Sequence, residues 1–130
     1  MKIPRILLLT AALLSLALSC TKPEEEVVPE IIVSPESWRI YVTHMLFEAE
    51  PSSQFFSFTA TAPWSASPQW FGDESDWLSL DPSSGGAGTF NMKVTVKENP
   101  NYTDRTAAVN IKCGTAAASF YIYQNRTKAQ

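Results

Sequence analysis

One histidine, His44, is all the imidazole that the 130 residues offer. A Ser-His-Asp hydrolase needs an imidazole to take the serine proton, and His44 lies in an irregular segment, in a chain with no glycine-bracketed serine. Carboxylate pairs are scarce as well. Glu48 with Glu50, and Asp73 with Asp76, are the local pairs that could face each other across a sugar. A domain this small cannot enclose a sugar chain in a deep cleft and still keep a core. No catalytic residue and no cofactor are therefore expected, and the chain reads as a non-enzyme. Charge of one sign is also missing. Ten Lys and Arg stand against thirteen Asp and Glu, a formal net charge of −3 with no basic stripe, which excludes nucleic acid as the expected partner. No window sustains a helical period and no internal repeat is visible. Nine prolines, with many Thr and Val, oppose helix throughout.

A period of two fills the space that these absences leave. In Thr89 to Val96, Phe90, Met92, Val94 and Val96 share one side, while Thr89, Asn91, Lys93 and Thr95 share the other. The turn before it, Asp81 to Gly88, joins an Asp-Pro start to three glycines free to take positive φ. Similar short runs are read at Ile31 to Val33, Ser37 to Thr43, Gln54 to Thr61, Trp64 to Ser67, Trp77 to Leu80, Thr106 to Cys113 and Ser119 to Gln124. In the second of these Trp38, Ile40 and Val42 share a face, and Met45, Leu46 and Phe47 then cover one end. The expectation is an all-β fold: an antiparallel two-sheet sandwich of about seven to eight strands.

An ordered series of residues resembles the BACON domain family. It comprises Pro63-Trp64, the turn Trp77-Leu78-Ser79-Leu80-Asp81-Pro82-Ser83-Ser84-Gly85, then Asn99, Arg105-Thr106-Ala107 and Tyr123-Gln124. The resemblance implies an immunoglobulin-like β-sandwich in which Trp64, Trp77, Pro82, Gly85, Asn99, Arg105 and Gln124 are structural signature residues. It also implies a non-catalytic module of Bacteroidota surface lipoproteins and glycan-degrading enzymes, binding carbohydrate or mucin or acting as a structural spacer. One segment departs from the family pattern: the connection SASPQWFGDESD, which carries Trp70-Phe71.

The amino terminus reads as an address. Lys2 and Arg5 precede an apolar run, Ile6 to Leu18, too short to span a bilayer, and small residues lead to Cys20. Residues 1–19 thus resemble a bacterial lipoprotein signal peptide, with Cys20 the lipidated first residue of the mature chain. Residues 20–30 hold that Cys and an acidic Pro/Glu tether that cannot bury enough apolar surface to fold. The sandwich occupies residues 31–130. The expected location is the outer membrane, lipid-anchored and exposed at the cell surface, with a periplasm-facing anchor as the alternative. Once Cys20 is lipidated, Cys113 has no partner and reads as a small buried hydrophobe.

Binding candidates come from aromatics outside the core pattern. Trp70 and Phe71, read as part of a polar loop beside Asp73 and Asp76, offer a flat apolar surface to a sugar face and carboxylates to its hydroxyls, the alternative being that Trp70 folds back as a lid on one end of the sandwich. Tyr121 and Tyr123, outward on the last strand, form a second candidate platform. Asp73, Glu74 and Asp76 lack regular calcium-loop spacing and read as a solvated loop, so no metal is assigned. The sequence thus supports two functions: a surface-anchored glycan- or mucin-binding module, or a spacer or protein-interaction module of a cell-surface glycan-utilisation assembly.

Overall fold

The computed structural model describes residues 28–128; the segment read as a signal peptide, Cys20 and most of the residues read as a tether lie outside the described residues. Among the described residues nine strands form: β1 (Ile31–Val33), β2 (Met45–Phe47), β3 (Ser52–Ala60), β4 (Trp64–Phe71), β5 (Leu78–Asp81), β6 (Ser84–Gly85), β7 (Gly88–Val96), β8 (Arg105–Cys113) and β9 (Ala116–Gln124). They build two sheets, ordered β1-β3-β7-β5 and β2-β9-β8-β4-β6. Every pairing is antiparallel except that of β2 with β9, which is parallel. The all-β sandwich read from the alternation is the fold observed, with one strand more than its upper count.

Alternation fills the space between the sheets. Phe56 and Phe58 from β3 and Met92, Val94 and Val96 from β7 meet Val109, Ile111, Phe120 and Ile122 from β8 and β9, all fully buried. Phe56 stacks on Phe120 across the gap with centroids 4.0 Å apart. Each such side chain contributes about 1.5–3 kcal/mol by leaving water. Cys113 is buried with them, its thiol directed at the Ala62 carbonyl at 3.3 Å. Gly85 is where backbone approaches an indole: a Cβ there would come within 2.9 Å of both Trp64 Nε1 and the Phe90 ring. The Asp81–Pro82 peptide that leads into this turn is cis.

Two segments depart from the sequence reading. Ser37 to Thr43 is not a strand: a 3₁₀ turn, Pro35–Ser37, runs into a five-residue helix, α1 (Trp38–Val42). Ser34 N–H donates to Ser57 O and Ser57 N–H donates to Ser37 Oγ, so β3 satisfies the backbone just where the chain leaves that sheet. The helix carries the chain across to β2, which pairs in the other sheet. Its Ile40 and Tyr41 pack on the core, while Trp38 and Val42 are exposed. Five residues are too few for alternation to distinguish a strand from one helical turn.

The second departure is the SASPQWFGDESD connection. β4 continues through Pro68 as far as Phe71, all of it paired with β8. β6 covers the other side of β4 only at Trp64 and Ser65, so beyond them β4 is a sheet edge. An edge tolerates a proline, because the missing N–H removes no ladder bond on the open side.

The two poles of the sandwich are distinct. At one, Val28 O and the Glu30 N–H are bonded to Thr61 Oγ1, and Pro29 lies against Gly114. At the other, Asn125, Arg126 and Thr127 are bonded to Phe47, Asp104 and Asn101. The chain enters at one end of the strands and leaves at the other.

Candidate functional site

Arg105 organises the exit pole. Placed first on β8, with its side chain on the inner parity, it donates from Nε to Gln124 Oε1 at 2.8 Å. Nη1 donates to Glu74 Oε1 at 2.7 Å, and Nη2 to the Lys97 and Glu98 carbonyls at 3.1 and 2.8 Å. Its guanidinium carbon lies 4.6 Å from the Trp77 ring centroid. Gln124, fully buried, donates in turn to the carbonyls of Glu48, Ala49 and Lys97. Asn99, also buried, donates to the Thr103 and Asn125 carbonyls and accepts from Asn101 N–H. These three side chains replace the ladder bonds that loops lack, tying four segments into one end.

Glu74 closes this network from outside. It accepts from Arg105 and from the Asn101 side chain. The hydrogen bond from Arg105 above all holds its carboxyl below the usual carboxylate range, outweighing an opposing cost of burial, with smaller help from the Asn101 bond and the guanidinium charge. Asp73 and Asp76 stay exposed on the same loop, Asp76 with φ of 64°. Among the described residues no three His, Cys, Asp or Glu side chains gather to hold a metal ion.

Of the two readings of Trp70, an exposed loop ring or a ring folded back on the core, the structure has the second, although Trp70 stands on a strand and not in the loop. Strand geometry places it on the same side of β4 as Trp64, and it is half-buried against the core, 5.7 Å from the Trp77 ring. Its neighbour Phe71 points the opposite way, because successive strand residues alternate. The structure therefore separates the four main candidates: Trp70 lies inside, Phe71 on the outer sheet face, and Asp73 and Asp76 on the loop beyond.

Phe71 instead joins the second candidate pair. β4, β8 and β9 place Phe71, Thr106 and Tyr123 in one register across the sheet, and Gln69, Ala108 and Tyr121 in the next. Phe71, Tyr121 and Tyr123 are 41, 50 and 43 % exposed. Phe71 and Tyr121 approach to 6.3 Å between centroids, and Ala108 between their strands is 3 % exposed although it faces outward. Tyr123 is stacked on the His44 imidazole at 4.4 Å. Beside the rings runs a polar row. Asn110 Nδ2 donates to Gln69 Oε1 at 3.1 Å, and Ser119 Oγ donates to Asn110 Oδ1 at 2.7 Å. The face thus combines apolar ring surface with amides and a hydroxyl held in order by one another, the two kinds of group that a sugar's C–H face and hydroxyls require.

The sequence reading named the tyrosines, but it missed Gln69, Ser119 and the contribution of His44. Carrying the period of two from Trp64 through Pro68 would have found Gln69 and Phe71 on one face. His44 had no such signal, since its stacking depends on the turn between α1 and β2.

Comparison with known proteins bears on the fold and the family. Residues 63–125 match the model of the BACON family, described as "Putative binding domain, N-terminal". A glycoside hydrolase family 5 xyloglucanase of Bacteroides ovatus, solved in complex with a XXXG heptasaccharide, superposes with a TM-score of 0.62 at 22 % identity. The match covers 78 % of this chain and 20 % of the xyloglucanase, so the chain spans about a fifth of that enzyme. A protein from Bacteroides thetaiotaomicron, solved by NMR, matches with a TM-score of 0.47 at 18 % identity, over 84 % of this chain and 97 % of its own. No curated protein matches the sequence significantly.

Proposed function

We propose, for a chain whose residues 63–125 form a BACON-family segment, that the sandwich is a non-catalytic carbohydrate-binding module and that the outer face of its five-stranded sheet carries the binding. The observation behind this reading is the convergence of Phe71, Tyr121 and Tyr123 from two strands beside the Gln69–Asn110–Ser119 row. A sugar stacks its C–H face on a ring and turns its equatorial hydroxyls to the amides. Because one side of the ligand stays in water, each site is weak, about 4–6 kcal/mol or millimolar to high micromolar. Affinity electrophoresis of the purified protein through gels containing xyloglucan, mannan or mucin tests this. Retardation by at least one polymer, lost in Tyr121→Ala with an unchanged melting midpoint, is the expected result. Free migration through every gel refutes it.

Cys20 is proposed to carry the lipid that tethers the module to the outer membrane, facing outward. The rings lie on the half of the sheet farther from Val28 to Ile31, where the tether enters, so a lipid there would hold them away from the membrane surface. Labelled palmitate fed to cells should enter the native protein and not Cys20→Ser, and equal labelling of both would remove the anchor from the proposal. Entry and exit at opposite poles favour a second reading, a spacer that holds neighbouring segments apart along the strand axis. The two readings are compatible in one module, and only the first requires exposed rings.

A further inference from the structure

We infer that this face reads an internal stretch of an extended, neutral glycan chain laid across the strands, rather than one terminal sugar. This rests on the carbohydrate-binding reading and adds the form of the ligand. The rings are a row, not a cluster. Phe71 stands on β4, Tyr121 and Tyr123 on β9, and His44 just before β2, at the far edge of the same sheet. Phe71 lies 6.3 Å from Tyr121 and His44 lies 4.4 Å from Tyr123. The tyrosines are two residues apart on one strand, a rise of about 7 Å. From β4 to β2 is three strand spacings, about 14 Å. A single sugar ring stacks on one side chain and leaves the remainder of such a row wet. Tyr123 and His44 stack face to face and act as one station, so only a ligand that repeats its apolar face uses Phe71, Tyr121 and that pair together.

The polar groups repeat in the same direction. Gln69, Asn110 and Ser119 sit on β4, β8 and β9, so one amide or hydroxyl is offered per strand along the row. Their mutual bonds leave Gln69 Nε2, a second Asn110 N–H and the Ser119 oxygen free to meet hydroxyls along one edge of a chain. Neither end of the row is walled. At the Phe71 end it opens onto a depression of about 340 Å³ bordered by Asp73, Asn101, Thr103 and Asp104. At the His44 end it opens onto another of about 390 Å³ bordered by Arg39, Thr43, Leu46 and Gln54. A chain can therefore continue past the rings in both directions. Lys112, the outward cation of β8, pairs with Ser65 and Ala117 at the tether end of the face, away from the rings. Asp73 and Asp104 flank the row at its other end. With carboxylates at one end and the Arg39 guanidinium at the other, neither sign of charge dominates along the row, which suits an uncharged ligand.

Calorimetric titration of the purified protein with cello-, xylo- and manno-oligosaccharides, from disaccharide to hexasaccharide, tests the inference. Affinity is expected to rise about tenfold or more across the series that binds, and to survive reduction of the chain end. Phe71→Ala and His44→Ala remove the outer rings of the row and should shrink that gain several-fold, with melting midpoints checked in parallel. A disaccharide that binds as tightly as its hexasaccharide, or binding abolished by end reduction, overturns the inference while leaving carbohydrate binding intact. Absence of binding by every oligosaccharide and by every polymer in the gels overturns the reading beneath it, and the inference with it.

Discussion

Trp70 and Phe71 are adjacent in the chain and belong to different regions of the molecule. Trp70 turns inward to the layer of Trp64 and Trp77, where rings meet rings and the Arg105 guanidinium covers what the sheets leave open. Phe71 turns outward to a row in which each ring keeps a large part of its surface in water. The inner rings stabilise the fold because they have lost water. The outer rings contribute little to it, and that leaves them available for a ligand. Which region a ring serves is decided by its parity on the strand, not by its residue type or by its neighbours in sequence.

A graded series of alanine substitutions would break this comparison if it is wrong. Trp77→Ala empties a buried site and should cost about 3–5 kcal/mol. Trp70→Ala, at a half-buried position, should cost about half of that. Phe71→Ala should cost less than about 1 kcal/mol. Urea melts with a common slope measure all three. A Phe71 loss equal to that of Trp70 would mean that the outer row is a second core rather than a free surface.

The smallest effect sharpens the exit pole. Glu74 has a depressed carboxyl pKa in the fold, so its bond to Arg105 stabilises at pH values above its unfolded pKa. That contribution is lost as pH falls through the folded value, in a window that begins below about 4.3. Because the Glu74 side chain is 44 % exposed, solvent screens the pair to about 0–1 kcal/mol. The melting midpoint of Glu74→Gln should lie below that of the native protein at neutral pH, and the gap should close in acid. A gap that persists in acid would assign the stability to hydrogen bonding that does not depend on charge.

The sandwich was legible where a period of two ran long enough to be unambiguous. β7 and β8 are such strands, and each buries the face that its alternation marks. Legibility failed in short or interrupted runs. Trp38, Ile40 and Val42 alternate over five residues and form a helix that leaves Trp38 exposed. Pro68 ended the sequence reading of β4 early, although an edge strand accommodates it, and this put Trp70 in a loop. The polar loop signal around Gly72 to Asp76 was sound, but the loop began four residues later than the sequence reading of the strand, which ended at Ser67.

The sequence by itself determined the all-β class, the positions of the major strands and the likeness to one family, because alternation and turn residues act over a few neighbours. It also determined which tyrosines face outward, since parity propagates along β9. Only the tertiary structure decided what those tyrosines stand beside. Phe71, Gln69, Asn110, Ser119 and His44 come from four separate segments, and their approach depends on strand order and register. Register is set by how two sheets close over one core, a long-range condition that no local window of residues contains.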